Sequence, residues 1–492
     1  MKGEGSGRIT RLFQHSAVYA VSAAVQRLTG LLMLPVYTNF AYLASRSAFG
    51  DYALVFTFIA FMNFFYLYGM DSAFLRFFFL ADRDRRTVFS STYLILSLTS
   101  LLTTALVIGF SEPIASALLK SPTYAEFIRL AGLILLFDTL TNLPYLVLRA
   151  EERPVSFVLF RTGRFLLELA LNLVFVVFLK KGVLGILYAN LLAAVINWLA
   201  MLPVVARYFH WRIDLALWKE MVRFGLPFLP NGIAFMTIET IDRVLVQEFL
   251  GKDAVGLYSP NYKFGTILLL LVVAFRNAWQ PFFLKIAGQR SQQEAKQTYA
   301  RVFYYYLIAA GLVTLGATFT LDYILKWRLF DNFYLLGPAY WPGIPIIPVI
   351  LLSYFCFGIY VIFTPGFYIQ KRSGLMIWFT GTGALLNVLV NVWLLPRIGI
   401  WGAALATLAS YASMAVLIFL VAQRIYPIPL QAGRILKSLF PLLLGVALYY
   451  LQPLNLFARL AILVVICLWY YWRCLTPEER RLSLRLLQAV KS

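Results

Sequence analysis

Fourteen mostly apolar stretches of 17 to 28 residues recur along this chain, separated by short charged loops, and no other feature restricts its fold so tightly. In hydrocarbon every backbone N–H and C=O must be satisfied within the protein, so a spanning segment has to be a helix of about 20 apolar residues. The first six stretches run His15–Phe40, Tyr52–Met70, Ser90–Phe110, Glu126–Leu148, Val155–Leu179 and Leu184–Ala206. The next six run Phe224–Leu250, Leu257–Leu284, Val302–Leu325, Ile344–Ile369, Leu375–Leu395 and Gly399–Val421, and a shorter pair closes the series at Ile435–Leu451 and Leu456–Trp472. Charged residues are 13% of the chain, against about 25% in soluble domains, so there is too little polar surface to enclose this core in water. The expected fold class is an all-α polytopic membrane protein with about fourteen transmembrane helices.

The charges orient it. With the N-terminus inside, 27 of the 43 Lys and Arg fall in cytoplasmic segments, nine on the far side and seven within helices. That bias is the positive-inside pattern, and it accounts for a net charge of +21 without any nucleic-acid partner. It puts both termini in the cytoplasm. Met1 to Gln14 lacks the apolar core and cleavage site of a signal peptide, so the first helix is expected to be retained. Cys356, Cys467 and Cys474 lie in or beside apolar helices and suggest neither a disulfide framework nor a metal site. No loop is long enough for a soluble catalytic domain.

The two halves echo each other. Gly182-Val-Leu-Gly185 with Ala189-Asn190-Leu191 returns 217 residues later as Gly399-Ile-Trp-Gly402 with Ala406-Thr407-Leu408. Leu171-Asn172 and Leu386-Asn387 precede them, and Phe49-Gly50-Asp51-Tyr52 is matched by Val255-Gly256-Leu257-Tyr258. Six helices separate the members of each pair. An even number preserves orientation, which predicts two six-helix lobes (1–206 and 207–424) related by a pseudo-two-fold axis along the membrane normal. A central cavity would lie between them, and 425–492 would form an extra helix pair and tail. The competing explanation is a small-residue packing face that recurs by chance.

A charge at the bilayer centre costs about 2.5 kcal/mol or more, so each one inside a predicted helix needs a reason. Ten such residues are present: Arg27, Asp138, Arg161, Arg164, Glu168, Glu239, Asp242, Arg243, Lys263 and Arg276. Arg164 with Glu168, and Glu239 with Arg243, are spaced i,i+4 and can pair along one helix face. Arg161, Asp242 and Lys263 lie near helix ends and can snorkel. Arg27 and Arg276 lie deep, with no acid three or four positions away, and Arg276-Asn277 with Gln280 forms a polar stripe. A guanidinium at that depth points either to an interhelical pair with Asp138 or Glu239, or to a wet cavity and an anion, for which its planar fork suits phosphate. Six bases against four acids make the interior net cationic. Arg27, Arg276, Arg164, Lys263, Asn277 and Gln280 are therefore the candidate substrate-binding residues. Pro227 and Pro230 break the start of the seventh helix, either as a hinge or as a fixed kink.

These residues resemble a known family. Leu34-Pro35 followed by Phe49-Gly50-x-Tyr52, then Leu226-Pro227, Asp242-Arg243, Leu250-Gly251 and Gly256-Leu257-Tyr258-Ser259, is similar to the polysaccharide-transport (Wzx-type) oligosaccharide flippases of the superfamily that also holds multidrug extruders (MATE) and the peptidoglycan-precursor flippase. The resemblance implies alternating access and translocation of an undecaprenyl-pyrophosphate-linked oligosaccharide for cell-surface polysaccharide synthesis. The glycan would pass through the cavity with its tail in membrane lipid. It also implies a bacterial cytoplasmic membrane, polymerase or assembly proteins as partners, and no cofactor beyond a coupling proton or sodium ion. Asp138, Glu168 and Glu239 are the ion-coupling candidates.

Rival readings remain. A peptidoglycan-precursor flippase would carry the same pyrophosphate, whereas a drug extruder would present acids to cationic substrates. A membrane polymerase or ligase needs catalytic residues on a large outer loop, and the longest, Lys326 to Gly343, holds only Lys326, Arg328 and Asp331 as charges. No phosphate-cradling Gly-rich loop with a following Lys-Ser/Thr occurs, so ATP hydrolysis by this chain is not expected. His15 and His210 sit at predicted membrane borders. The topology is checked by single cysteines in a cysteine-free background. Ser121→Cys should react with an impermeant maleimide on intact cells and Ser291→Cys only after permeabilisation; the opposite pattern would invert the map.

Overall fold

The computed structural model describes residues 30–80, 84–330 and 333–480. Among the described residues, twelve helical stretches are long and apolar enough to cross a bilayer. One further long helix, Pro154–Asn172 continued by a π-helical segment Leu173–Phe178, matches the predicted Val155–Leu179 and carries Arg161, Arg164 and Glu168. The predicted helix His15–Phe40 lies largely outside the described residues, as do Arg27 and His15.

By contact the chain forms two compact units. The first comprises Met1–Lys263, Leu336–Tyr340 and Gly383–Ala406. Its helices are α1 (Arg46–Leu67), α2 (Met70–Leu80), α3 (Arg85–Gly109), α4 (Ser111–Leu119), α5 (Ala125–Ala150), α6 (Pro154–Asn172), α7 (Gly182–Tyr208), α8 (Leu215–Gly225), α9 (Leu229–Leu250) and α10 (Lys252–Gly265). Local sequence sets their ends. Ser45, Asp84 and Asp214 each accept a hydrogen bond from a first-turn N–H of α1, α3 and α8, and Pro154 opens α6, where its missing donor costs nothing. α5 is the hub, packing against α1, α3 and α7, while α6 lies on α7 and α9 on α1.

The second unit comprises Phe264–Leu335, Trp341–Thr382 and Thr407–Ser492. It is built from α11 (Ile267–Gln289), α12 (Gln292–Leu325), α13 (Ile347–Ile362), α16 (Ala432–Leu451) and α17 (Leu456–Trp469), while α14 (Met376–Ile398) and α15 (Ile400–Ile425) are shared between the two units. A capping box of Ser291 and Glu294 starts α12, which packs against α11, α13, α16 and α17.

Three predicted segments differ in detail. Leu257–Leu284 is two helices, broken at Thr266 after Gly265, where a Cβ would stand 2.4 Å from Ile350 Cγ2. Ile344–Ile369 begins in a 3-10 segment Pro338–Ile346, whose Pro342 and Pro345 lack donors, and breaks again before Pro365. The loop Lys326 to Gly343 carries a small antiparallel hairpin, β1 (Arg328–Phe330) with β2 (Phe333–Tyr334), which holds the only strands among the described residues.

The sequence echoes are structural. Gly182 and Gly399 both adopt left-handed backbone, φ +56° and +61°, at the turns into α7 and α15. A Cβ on Gly185 would lie 2.9 Å from the Phe175 carbonyl oxygen, and one on Gly402 would lie 2.7 Å from the Leu394 carbonyl carbon. Each second glycine thus lets its helix lie on the backbone just before the turn. The other echoing pair meets face to face. A Cβ on Gly50 would stand 2.3 Å from the Lys252 carbonyl oxygen, and one on Gly256 would stand 1.9 Å from that of Arg46. Two ion pairs flank this crossing of α1 and α10, Lys252–Asp51 at 2.7 Å and Arg46–Asp253 at 2.6 Å.

Backbone atoms cannot rotate away, so overpacking here should cost about 1–3 kcal/mol or more. Gly256→Val is expected to lower the unfolding temperature and monodisperse yield in detergent. Gly163→Ala, on a glycine with nothing within 4 Å, should leave both unchanged. A wild-type unfolding temperature for Gly256→Val would show that the crossing does not hold α1 to α10.

Candidate functional site

In the first unit α6 directs Arg161, Arg164, Glu168 and Asn172 inward at i, i+3 and i+4 spacing, towards polar groups on α5 and α7. Arg164 Nη2 lies 2.6 Å from Asp138 Oδ1 on α5, with side chains 11% and 29% exposed. Helical spacing predicts a pair of Arg164 with Glu168, but the close ion pair crosses to another helix. Asn172 donates to the Glu168 carbonyl at 2.8 Å and accepts from the Tyr37 hydroxyl at 2.7 Å. Arg161, predicted to snorkel, lies 4.3 Å over the Tyr145 ring, and the Tyr145 hydroxyl donates to Asn197 on α7 at 2.8 Å. The aromatic faces hold that guanidinium inside. Two acids and two bases thus form one charge-balanced cluster, and removing one partner of such a buried pair typically costs about 3–5 kcal/mol.

A second cluster joins α9 to α10. Asp242 is fully buried, paired with Arg243 at 2.7 Å and accepting from the Tyr258 hydroxyl. Its position near a helix end suggests snorkelling, but these two donors satisfy the carboxylate in place. Arg243 also donates to the Glu239 carbonyl one turn earlier and lies 4.1 Å over the Tyr262 ring. Lys263, also predicted to snorkel, donates to the Tyr52 hydroxyl at 3.0 Å. Tyr52 and Tyr258, the matching tyrosines of the two echoing motifs, thus each bind a charged group. Pro227 lies in a 3-10 turn, Leu226–Phe228, between α8 and α9, and Pro230 sits in the first turn of α9. The two prolines therefore mark a real break.

In the second unit Arg276, Asn277 and Gln280 share α11 and are all exposed. Arg276 is the tenth residue of the 23 in Ile267–Gln289, close to mid-helix, and Tyr360 of α13 lies within its electrostatic range. Of the predicted site residues, the structure gathers Asp138, Arg164 and Glu168, sets Lys263 against Tyr52 and Glu239 beside Arg243, and aligns Arg276, Asn277 and Gln280. Sequence reasoning passed over Asp51, Lys252 and Tyr258, although Asp51 and Tyr258 lie within the echoing motifs. Among the described residues no group of three or more His, Cys, Asp or Glu is arranged to hold a metal ion.

The chain was compared with known proteins. The model of the family described as polysaccharide biosynthesis protein matches residues 40–304. No curated protein sequence matches the chain. Among solved structures, the lipid II flippase MurJ in an inward closed conformation superposes with a TM-score of 0.72 at 14% identity, covering 92% of this chain and 97% of that one. An inward-facing multidrug resistance MATE family transporter of the MOP superfamily gives 0.64 at 14% identity over 83% and 97%. A MOP superfamily transporter from Pyrococcus furiosus, described by the reverse polarity of its binding pocket, gives 0.57 at 14% identity over 85% and 94%. The fold is thus that of MurJ and the MATE transporters, and over more than half its length the chain belongs to the polysaccharide biosynthesis protein family.

Proposed function

We propose that this protein is a flippase that moves an undecaprenyl-pyrophosphate-linked oligosaccharide from the cytoplasmic to the outer leaflet by alternating access. It works in a bacterial cytoplasmic membrane, with both termini inside, and supplies polysaccharide polymerase or assembly proteins. One observation carries this reading. Arg276 is exposed near the middle of a membrane-spanning helix, together with Asn277 and Gln280. A guanidinium facing hydrocarbon at that depth would cost about 2.5 kcal/mol or more, so in this reading the face borders water. A wet, cationic face in mid-membrane suits the pyrophosphate of a lipid-linked sugar, since Arg binds phosphate oxygens through two parallel donors. Membership of a polysaccharide biosynthesis family supports the glycan part of the reading.

A proton or sodium gradient drives the cycle in this reading. The Asp138–Arg164–Glu168 cluster is suited to exchange an ion because either acid can be neutralised while Arg164 keeps the other as partner. Glu239 beside Arg243 is the alternative, and the break at Pro227 and Pro230 is the hinge. The second reading, transport of a peptidoglycan precursor, is favoured by the likeness to the lipid II flippase MurJ. A multidrug extruder fits less well because the stripe on α11 is basic.

Proteoliposomes carrying a fluorescent undecaprenyl-pyrophosphate-linked sugar and an impermeant quencher test both parts. Wild type should expose inner-leaflet label under a pH or sodium gradient. Arg276→Ala should slow this about tenfold or more, the effect of losing one charge-assisted hydrogen bond, with Arg276→Lys in between. A folded wild type that is silent under both gradients would overturn the flippase reading. Separately, Asp138→Asn should abolish the response to the gradient while leaving substrate binding in place. Gradient-driven flipping by that variant would remove Asp138 from the coupling role.

A further inference from the structure

The linker between α7 and α8 is fastened to the first turns of α3 by a histidine and three hydroxyls. Thr87, Ser90 and Ser91 stand at i, i+3 and i+4 on α3 and so share one face of that helix. Ser90 and Ser91 are buried. The His210 amide donates to Ser90 Oγ at 2.8 Å, and the Asp214 amide donates to Ser91 Oγ at 2.9 Å. The His210 ring, half-buried, lies between two hydroxyls. Its Nδ1 is 2.8 Å from Ser90 Oγ and its Nε2 is 3.3 Å from Thr87 Oγ1.

Counting protons shows what this ring must be. Each hydroxyl has one proton to give, and each faces an acceptor that has none. Ser90 donates to the Tyr208 carbonyl at 3.2 Å, and Thr87 donates to the Asp84 carboxylate at 3.3 Å. With those protons committed, both oxygens turn only lone pairs to the ring, and both ring nitrogens have to donate. That arrangement fits the imidazolium. A neutral ring has one bare nitrogen, so either Ser90 leaves the Tyr208 carbonyl or Thr87 leaves Asp84. The charges on the elements that meet here are mixed. Asp84, Arg85 and Arg86 come from the start of α3 and its cap, and Arg212 and Asp214 from the linker. Arg207 and Tyr208 come from α7, and the Tyr208 hydroxyl donates to Glu151 just after α5. Four arginines against three carboxylates nearly cancel, which leaves the hydrogen bonds to decide. Asp84 senses the ring: slight burial opposes the shift, but the Thr87 and Arg86 amides, the Thr87 hydroxyl and the His210 charge hold its carboxyl below the ordinary value.

We propose that His210 is a proton-operated clasp, closed while its ring carries both protons and loosened when it loses one. Histidine is the side chain whose charge changes between about pH 5 and pH 8. The clasp holds the start of α8, whose Leu217 and Met221 are buried in one cluster with Met70 and Phe74 of α2 and Val88 of α3. From there α8 runs into the break at Pro227 and Pro230. A closed clasp keeps the anchor of that hinge on α3, so transport should slow as the pH falls. Only this last step rests on the flippase reading; the clasp itself stands on the hydrogen bonds.

The full-length protein in nanodiscs is followed by hydrogen–deuterium exchange of the peptide 205–215. Exchange is compared at about pH 6 and about pH 8, on the two sides of the imidazole transition, after correction for the direct effect of pH on amide exchange. Wild type should open about fivefold more at the higher pH, the effect of losing one hydrogen bond. His210→Gln and Thr87→Val should show no such difference at an unchanged unfolding temperature. Equal opening of the wild type at both pH values, or a difference that persists in both variants, would overturn the clasp. Flipping is measured in parallel under one fixed gradient, with the pH of both sides moved together. Its rate should rise with pH by a similar factor in wild type and stay level in His210→Gln. Opening that follows pH while flipping does not would remove the clasp from transport. A wild type that flips nothing, with a linker that still opens with pH, would remove the flippase reading and leave the clasp standing.

Discussion

Hydrocarbon offers no hydrogen-bond partner, and the junctions of this protein are shaped by that single fact. Where a helix must end or bend inside the membrane, its freed backbone groups need partners from the chain itself. Glycine allows the close approach at the crossing of α1 and α10, where Gly50 and Gly256 bring two backbones together closer than any side chain permits. It also lets α7 and α15 start in left-handed turns at Gly182 and Gly399. Proline marks the opposite case, at the break between α8 and α9 and around α13, where a donor is missing and the helix yields.

The same solvent governs the charges. Arg164 with Asp138, and Arg243 with Asp242 and Tyr258, are removed from lipid by partners that satisfy them inside the protein. Arg276, Asn277 and Gln280 are exposed on a spanning helix. A buried pair needs the partners that neighbouring helices bring to it, whereas an exposed guanidinium on a spanning helix has to be shielded from hydrocarbon by water or by polar groups.

Much of this was legible beforehand. The fourteen apolar stretches locate the helices because spanning length is set by bilayer thickness, a property of each segment alone. The paired Gly-x-x-Gly motifs were visible as a 217-residue offset, and each copy folds in the same way because a tight turn followed by a close helix start depends on nearby residues. The stripe on α11 was legible too, since i, i+1 and i+4 positions share a helix face whatever the neighbours do. Arg27, the other deep arginine of the sequence reading, lies outside the described residues.

Sequence alone therefore determined the membrane class, the approximate helix positions, the echoing glycine motifs and the presence of buried charge. Only the tertiary structure decided the partners: Arg164 with Asp138 rather than Glu168, Arg161 on Tyr145, Asp242 buried rather than snorkelling, and Lys252 on Asp51. The reason is geometric. Hydropathy and helical spacing act over a few residues along one segment, whereas a charge pairs with whatever neighbouring helices bring within about 4 Å, and nothing in that segment specifies which helix it will be.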